Sequence, residues 1–109
     1  TGKNLGDVEI RFHDIFFDGK NLIAEYKNQT SELTRKEMDI IAYLHRHQDR
    51  IVSKKELLIE VWHYADADIE TRTVDIHMLK LRKKIASLIG NTPFINTIRG
   101  EGYRLEPEK

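Results

Sequence analysis

The fold is decided by residues 71–105, which read TRTVDIHMLKLRKKIASLIGNTPFINTIRGEGYRL. Apolar residues recur at intervals of 4, 3, 4 and 3 in the first half of this stretch: Val74, Met78, Leu81, Ile85 and Leu88. That spacing is typical of one face of an α-helix. We therefore predict a long helix from about residue 71 to about 89, ended by Gly90.

A β-hairpin is predicted after this helix. Residues 94–98, FINTI, and 103–105, YRL, have the β-branched and aromatic composition of strands. The intervening residues 99–102, RGEG, predict a turn, because glycine adopts positive φ without steric cost.

Two further helices are predicted upstream from their capping residues. Thr34 and Ser53 are each followed three residues later by a glutamate, Glu37 and Glu56. This is a capping box, in which each side chain satisfies a free backbone N–H of the other residue. The first helix is expected to run to about His47 and the second to about Trp62. Their expected buried residues are Met38, Ile41, Ala42, Leu44 and His45 for the first, and Leu57, Leu58, Val61 and Trp62 for the second.

Short antiparallel strands are predicted in the first third of the chain, at residues 8–12, 15–17 and 22–26, with turns at 18–19 and 27–28. The predicted order is strands, three helices and a hairpin, which is an α+β class. With 109 residues, 39% of them hydrophobic and 33% charged, the chain has room for one globular domain. We expect residues 1–6 to be a linker remnant and residues 7–106 to be the domain. It has neither cysteine nor a long apolar run, and we expect it in the cytoplasm.

Charge is unevenly distributed, although the formal net charge is zero. Residues 1–34 contain four Lys and Arg against six Asp and Glu, and residues 53–70 contain two against five. Residues 71–104 contain seven against two. Salt screens the interaction between exposed charges beyond about 8–10 Å. A polyanion at this part of the chain would therefore respond to the local positive charge and not to the net charge.

The face of the third helix opposite its apolar stripe is basic with two aliphatic residues: Arg72, Ile76, Leu79, Lys80 and Lys83. Asp75 and Arg82 flank it on one side and Thr73, His77 and Lys84 on the other, and Arg99 and Arg104 extend the charge into the hairpin. A face of this kind is typical of a DNA recognition helix, where cations hold phosphates and an aliphatic side chain contacts a thymine methyl. Arg99 at the hairpin tip is suited to a narrow minor groove. A merely solvated helix face and an ordinary exposed turn are the alternatives.

Four motifs resemble the OmpR-like family of response-regulator DNA-binding domains. Residues 72–85, RTVDIHMLKLRKKI, are similar to the recognition-helix motif, and residues 97–104, TIRGEGYR, to the wing motif. Residues 33–38, LTRKEM, and 53–62, SKKELLIEVW, are similar to the starts of the first and second helices.

The resemblance implies a winged helix-turn-helix with an N-terminal four-stranded antiparallel sheet, three helices and a C-terminal hairpin wing. The third helix, about 71–89, would enter the major groove, and the wing, about 97–104, would lie at the minor groove. Phosphate or rim contacts are expected from Arg72, Thr73, His77, Arg82 and Tyr103, base-edge readout from Ile76 and Lys80, a minor-groove contact from Arg99, and backbone contacts from Trp62 and Thr97. Leu79 and Lys83 are expected to contact DNA as well. Leu79 stands where the family often has a basic or polar residue.

The resemblance also implies partners. These are double-stranded DNA in tandem half-sites, and a receiver domain and a sensor kinase acting through the full-length protein. RNA polymerase is a further candidate, through the acidic residues Asp66, Asp68 and Glu70 between the second and third helices. The isolated domain is expected to be monomeric off DNA, with no membrane partner. A winged-helix module that binds only protein is the alternative function.

No enzymatic activity, cofactor or metal is expected. The sequence has no phosphate-binding loop, no HExxH motif and no nucleophile elbow. His45 and His47, and the alternating acidic residues of 63–70, are weak candidates for metal ligands, because the histidines diverge by about 200° on a helix and the loop lacks the glycine and the distal glutamate of a calcium site. A solvated helix end and an acidic loop are the favoured interpretations. The role of Asp75 stays open between orienting Arg72 or Arg82, accepting a hydrogen bond from a cytosine, and a surface ion pair.

Overall fold

The computed structural model describes residues 8–63, 72–90 and 93–106. The elements in chain order are β1 (Glu9–Phe12), β2 (Ile15–Asp18), β3 (Ile23–Tyr26), β4 (Gln29–Glu32), α1 (Arg35–Arg46), α2 (Lys54–Glu60), α3 (Arg72–Ile89), β5 (Ile95–Ile98) and β6 (Gly102–Leu105). The predicted order of strands, three helices and hairpin is confirmed.

The four N-terminal strands form one antiparallel sheet in the order β1-β2-β3-β4. Its inner face contributes Ile10, Phe12, Ile15 and Phe17 to the core, while Arg11 lies on the outer face. The β1–β2 turn has positive φ at both His13 and Asp14. A two-residue type I′ turn requires this conformation, and His13-Asp14 is neither Asn-Gly nor Asp-Gly, so this turn has no sequence signal.

Helix α1 begins at the predicted capping box. Thr34 Oγ1 accepts a hydrogen bond from the Glu37 amide at 3.1 Å, and Glu37 Oε1 accepts one from the Thr34 amide at 2.9 Å. The predicted set of buried residues is wrong in two ways: every residue from Glu37 to Leu44 is buried, and His45 is only half-buried. The burial is wider than predicted because α1 packs against both α3 and β6.

Helix α2 has only half of its predicted capping box. Ser53 Oγ accepts a hydrogen bond from the Glu56 amide at 3.0 Å, as expected. The Glu56 carboxylate is instead held by the Arg50 guanidinium, at 2.8 and 2.5 Å, and by the Tyr43 hydroxyl. A tertiary ion pair thus replaces the local bond. The second helix also ends at Glu60, with Val61 as its C-cap, and Trp62 is only half-buried.

Helix α3 buries the five predicted residues: Val74, Met78, Leu81, Ile85 and Leu88. It ends before Gly90, whose φ is +74°. The chain then enters the β5–β6 hairpin, which the segment before α2 extends: the amides and carbonyls of Val52 and Tyr103 exchange hydrogen bonds of 2.8 and 2.9 Å.

Gly102 is required by this bridge. A Cβ there would lie 2.0 Å from the Val52 carbonyl oxygen, closer than any real contact. The glycine therefore lets β6 press against the segment leading into α2, which fixes the hairpin beside the helix-turn-helix unit.

Within the described ranges, no helix has both the length and the apolar character needed to cross a bilayer.

Candidate nucleic-acid interface

The outer face of α3 is exposed as the sequence predicted. All five of its members reach solvent: Arg72, Ile76, Leu79, Lys80 and Lys83. Ile76 is 47% exposed and Leu79 56%. The face therefore offers three cations and two aliphatic side chains on one helix.

Arg82 connects this face to the wing, residues 97–104. Its Nη2 donates a hydrogen bond of 2.9 Å to the Ile95 carbonyl oxygen and another to the Thr97 hydroxyl. Its guanidinium carbon lies 5.7 Å from the centre of the Tyr103 ring. Arg82 thus fixes the wing against α3.

Asp75 joins three elements on the same side of α3. Its Oδ1 lies 3.0 Å from Lys54 Nζ at the start of α2 and accepts a 2.6 Å hydrogen bond from the Tyr103 hydroxyl of β6. Burial tends to raise the pKa of Asp75, but the hydrogen bonds from Tyr103 and Lys54 outweigh it and the pKa is lowered. The carboxylate is therefore ionised at neutral pH and holds α2, α3 and the wing together. Arg82, one of the partners considered for Asp75, is directed to the wing instead.

Tyr103 lies behind the interface. It is only 4% exposed, and its hydroxyl is already bonded to Asp75. Burial, followed by the hydrogen bond to Asp75, raises its pKa, so the hydroxyl stays protonated and remains a donor. The expectation of a phosphate or rim contact from this side chain does not fit its burial.

The opposite edge of α3 carries His77, whose ring lies 5.1 Å from the Trp62 ring in an edge-to-face arrangement. Lys36, which has no sequence signal for a place beside this helix, donates a 3.0 Å hydrogen bond to the Val61 carbonyl oxygen, and its Nζ lies 5.6 Å from the centre of the Trp62 ring. Burial, together with the charges of Lys80 and Lys36, lowers the pKa of His77 against the opposing effect of Glu37. The imidazole is therefore neutral at pH 7.

Two of the cations expected around α3 are occupied elsewhere. Lys84 Nζ lies 2.6 Å from Oε1 of Glu37, whose side chain is 3% exposed. Arg104 Nε donates a 3.2 Å hydrogen bond to the Gln48 carbonyl oxygen. The exposed cations of α3 and the wing are Arg72, Lys80, Lys83 and Arg99, so the basic surface is narrower than the sequence suggested.

The remaining predicted residues lie as follows. Thr73 is half-buried on α3, and Thr97 and Arg99 are exposed on the wing. Asp66, Asp68 and Glu70 lie outside the described residues. His45 and His47 have separate aromatic neighbours, Phe12 and Tyr43, and the described residues contain no group of three or more potential metal ligands.

Comparison of the sequence with known families identifies the family to which this surface belongs. Residues 28–105, from the β3–β4 turn through the wing, match the family model described as "Transcriptional regulatory protein, C terminal". The chain belongs to this family. The region matched includes every exposed residue of α3 and the wing named above.

Relatives in this family are longer proteins. The alkaline phosphatase synthesis transcriptional regulatory protein PhoP of Bacillus subtilis is 43% identical over 86 residues, which cover 79% of this chain and 35% of PhoP. The chain thus spans about a third of that relative.

Solved structures of isolated domains share the fold. The DNA-binding domain of CpxR from E. coli is 26% identical with a TM-score of 0.74, over 90% of this chain and 95% of that one. The DNA-binding domain of the response regulator AdeR, solved in complex with an intercistronic region, is 28% identical with a TM-score of 0.70, over 89% of this chain and 98% of that one.

Proposed function

We propose that this domain binds specific sequences of double-stranded DNA and thereby regulates transcription, as the effector domain of a two-component response regulator. In this proposal α3 enters the major groove and the wing lies at the minor groove. The observation that carries it is the outer face of α3, whose exposed cations surround two exposed aliphatic residues and continue to Arg99 through the Arg82–Thr97 contact. The AdeR domain, solved with a DNA intercistronic region, supports the same assignment.

Each exposed or half-buried residue of this surface has a role in the proposal. In this proposal the phosphate backbone or its rim is contacted by Arg72, Lys83, Thr73, Trp62, His77 and Thr97. Base edges are read by Lys80 and Ile76. Arg99 enters the minor groove. Arg82 both tethers the wing and reaches a phosphate. Tyr103, being buried, acts as a positioning residue through Asp75. Lys54, which contacts the Asp75 carboxylate together with Tyr103, is a further candidate for a phosphate contact.

The context of the whole protein is part of the proposal. A receiver domain and a sensor kinase act through the longer chain, since relatives such as PhoP are much longer than this domain. Two copies, monomeric off DNA, occupy tandem half-sites about one helical turn apart, because that spacing places both on one side of the duplex.

The domain works in the cytoplasm, by binding and without catalysis or a cofactor. RNA polymerase is contacted through Asp66, Asp68 and Glu70, so charge reversal there should weaken activation and leave DNA affinity unchanged.

Salt dependence of duplex binding tests the DNA assignment against a module that binds only protein. Four exposed cations, with Arg82 as a fifth, predict a slope of log affinity against log salt of about −4.5. Lys83→Gln should reduce the slope by about 1. Arg11→Gln is the matched control, because Arg11 is exposed on the outer face of the sheet, and it should leave the slope unchanged. A slope near zero, or equal effects of the two substitutions, would contradict the proposal.

A further inference from the structure

Ile76 and Leu79 are two exposed aliphatic residues that the core does not use. They are 47% and 56% exposed, and among the described residues the only other large hydrophobic side chain so exposed is Ile59 of α2, at 42%. Single surface hydrophobics need no explanation. These two, however, lie three residues apart on one helix face, between Arg72, Lys80 and Lys83.

Charge identifies the surface that can cover them. Covering this aliphatic pair with an apolar protein surface is unfavourable, since the ammonium groups of Lys80 and Lys83 beside it would lose water without gaining a counter-charge. A polyanion supplies the counter-charge. In a DNA major groove the phosphates lie at the rim and the apolar group on the floor is the C5 methyl of thymine.

Spacing limits the arrangement of those methyl groups. Side chains three residues apart on a helix have Cβ atoms about 5–6 Å apart, whereas stacked base pairs are about 3.4 Å apart. The pair therefore spans one to two base-pair steps.

We propose that Leu79 and Ile76 read the C5 methyl groups of two pyrimidines, one or two base-pair steps apart, in the half-site that this domain recognises. The inference rests on the proposed DNA-binding function and specifies what the outer face of α3 recognises. The same methyl group occurs in thymine and in 5-methylcytosine, and either base can supply it.

Uracil scanning tests this directly, since uracil is thymine without the C5 methyl. A duplex selected by the domain from a random library is resynthesised with each thymine replaced in turn by uracil, and Kd is measured by fluorescence anisotropy. Two positions, one or two steps apart, should each lose about fourfold in affinity, or ~0.8 kcal/mol for one buried methyl at 1.4 kcal/mol per factor of ten. A parallel scan replaces each cytosine by 5-methylcytosine. A fourfold gain next to a single uracil-sensitive thymine would show that the second methyl comes from a methylated cytosine.

Protein variants assign each methyl to a side chain. Leu79→Ala should abolish the uracil penalty at one position and Ile76→Ala at the other. Once the side chain is truncated, the methyl group makes no apolar contact with it, so replacing thymine by uracil no longer costs affinity. Ile59→Ala, which truncates the other exposed large aliphatic residue, on α2, should leave both penalties in place. All three substitutions favour helix, and circular dichroism checks the fold.

The outcomes separate this inference from the function on which it rests. A selected motif whose affinity is indifferent to uracil at every position, or whose penalties persist in both α3 variants, would overturn the methyl readout and leave sequence-specific binding intact. Failure to select any motif would overturn the proposed function, and the inference with it.

Discussion

The hydroxyl of Tyr103 donates a 2.6 Å hydrogen bond to Oδ1 of Asp75, and this bond ties β6 to α3 across 28 residues of chain. Lys54 Nζ approaches the same oxygen to 3.0 Å. One carboxylate on α3 therefore sets the distance of this helix from both α2 and the wing. Since α3 and the wing would enter different grooves, that distance decides whether both can bind at once.

Tyr103→Phe should weaken both folding and DNA binding. Removing the hydroxyl leaves a partly buried carboxylate with one partner fewer, which should cost about 1–2 kcal/mol in the free energy of unfolding. The loss of the tether should lower affinity for the selected duplex about fivefold, an estimate on the scale of one hydrogen bond. Urea denaturation and anisotropy titration measure the two effects.

Tyr43→Phe is the matched control for this substitution. Its hydroxyl also bonds a carboxylate, that of Glu56, but at the junction of α1 and α2. It should lower stability by a similar amount and leave DNA affinity unchanged. Equal losses of DNA affinity in the two variants would show that the Asp75–Tyr103 bond has no positioning role.

Lys83 and Lys84 are adjacent in sequence and should behave in opposite ways. Lys84→Met removes the cation 2.6 Å from the buried Glu37 carboxylate. Leaving such a charge unpaired costs roughly 3–5 kcal/mol when fully buried, and somewhat less here because Lys84 is partly exposed. Lys83→Met should change stability by less than about 0.5 kcal/mol but reduce the affinity for DNA. Thermal unfolding of both variants compares their stability. Equal melting temperatures would contradict a stabilising ion pair between Lys84 and Glu37.

The Glu56 cluster predicts an acid-dependent contribution to stability. The hydrogen bonds from Arg50, against the opposing effect of burial, lower the pKa of Glu56 from 4.5 to about 2. A carboxyl whose pKa is depressed on folding stabilises the fold at pH above its unfolded value and loses that contribution as pH falls toward its folded value. Glu56→Gln should therefore be less stable than the natural chain by a constant amount from pH 7 to 5.5. The difference should shrink as pH falls below about 4.5 toward 2.

Urea midpoints at pH 7, 5.5 and 3.5 check this dependence. A difference that is as large at pH 3.5 as at pH 7 would mean that the ionised form of Glu56 is not what Arg50 and Tyr43 stabilise.

Local patterns predicted most of the fold. The core side of α3 and the capping box at Thr34 depend on neighbours within four residues, and both are confirmed. Glu56 has the same local signature as Glu37, but its carboxylate is bound by Arg50, which lies in the connection between α1 and α2. A tertiary partner of this kind has no sequence signal.

The site was predicted less completely for the same reason. The exposed residues of α3 follow from helical periodicity, whereas the commitment of Lys84 depends on Glu37, 47 residues away. Tyr103 is one of the aromatic residues that a wing could expose, and only the Val52 bridge and Asp75 bury it. Whether a cation faces DNA or the core is thus decided by packing that the sequence does not display.

Selection of bound duplexes from a random library, by the natural domain and by Lys80→Ala and Arg99→Ala, tests whether α3 and the wing read DNA sequence. Readout through α3 and the wing predicts a short motif, repeated at about 10–11 base pairs, that Lys80→Ala alters at one position and Arg99→Ala weakens beside the minor groove. No motif, with weak binding indifferent to both substitutions, would contradict it and direct the function toward a protein partner.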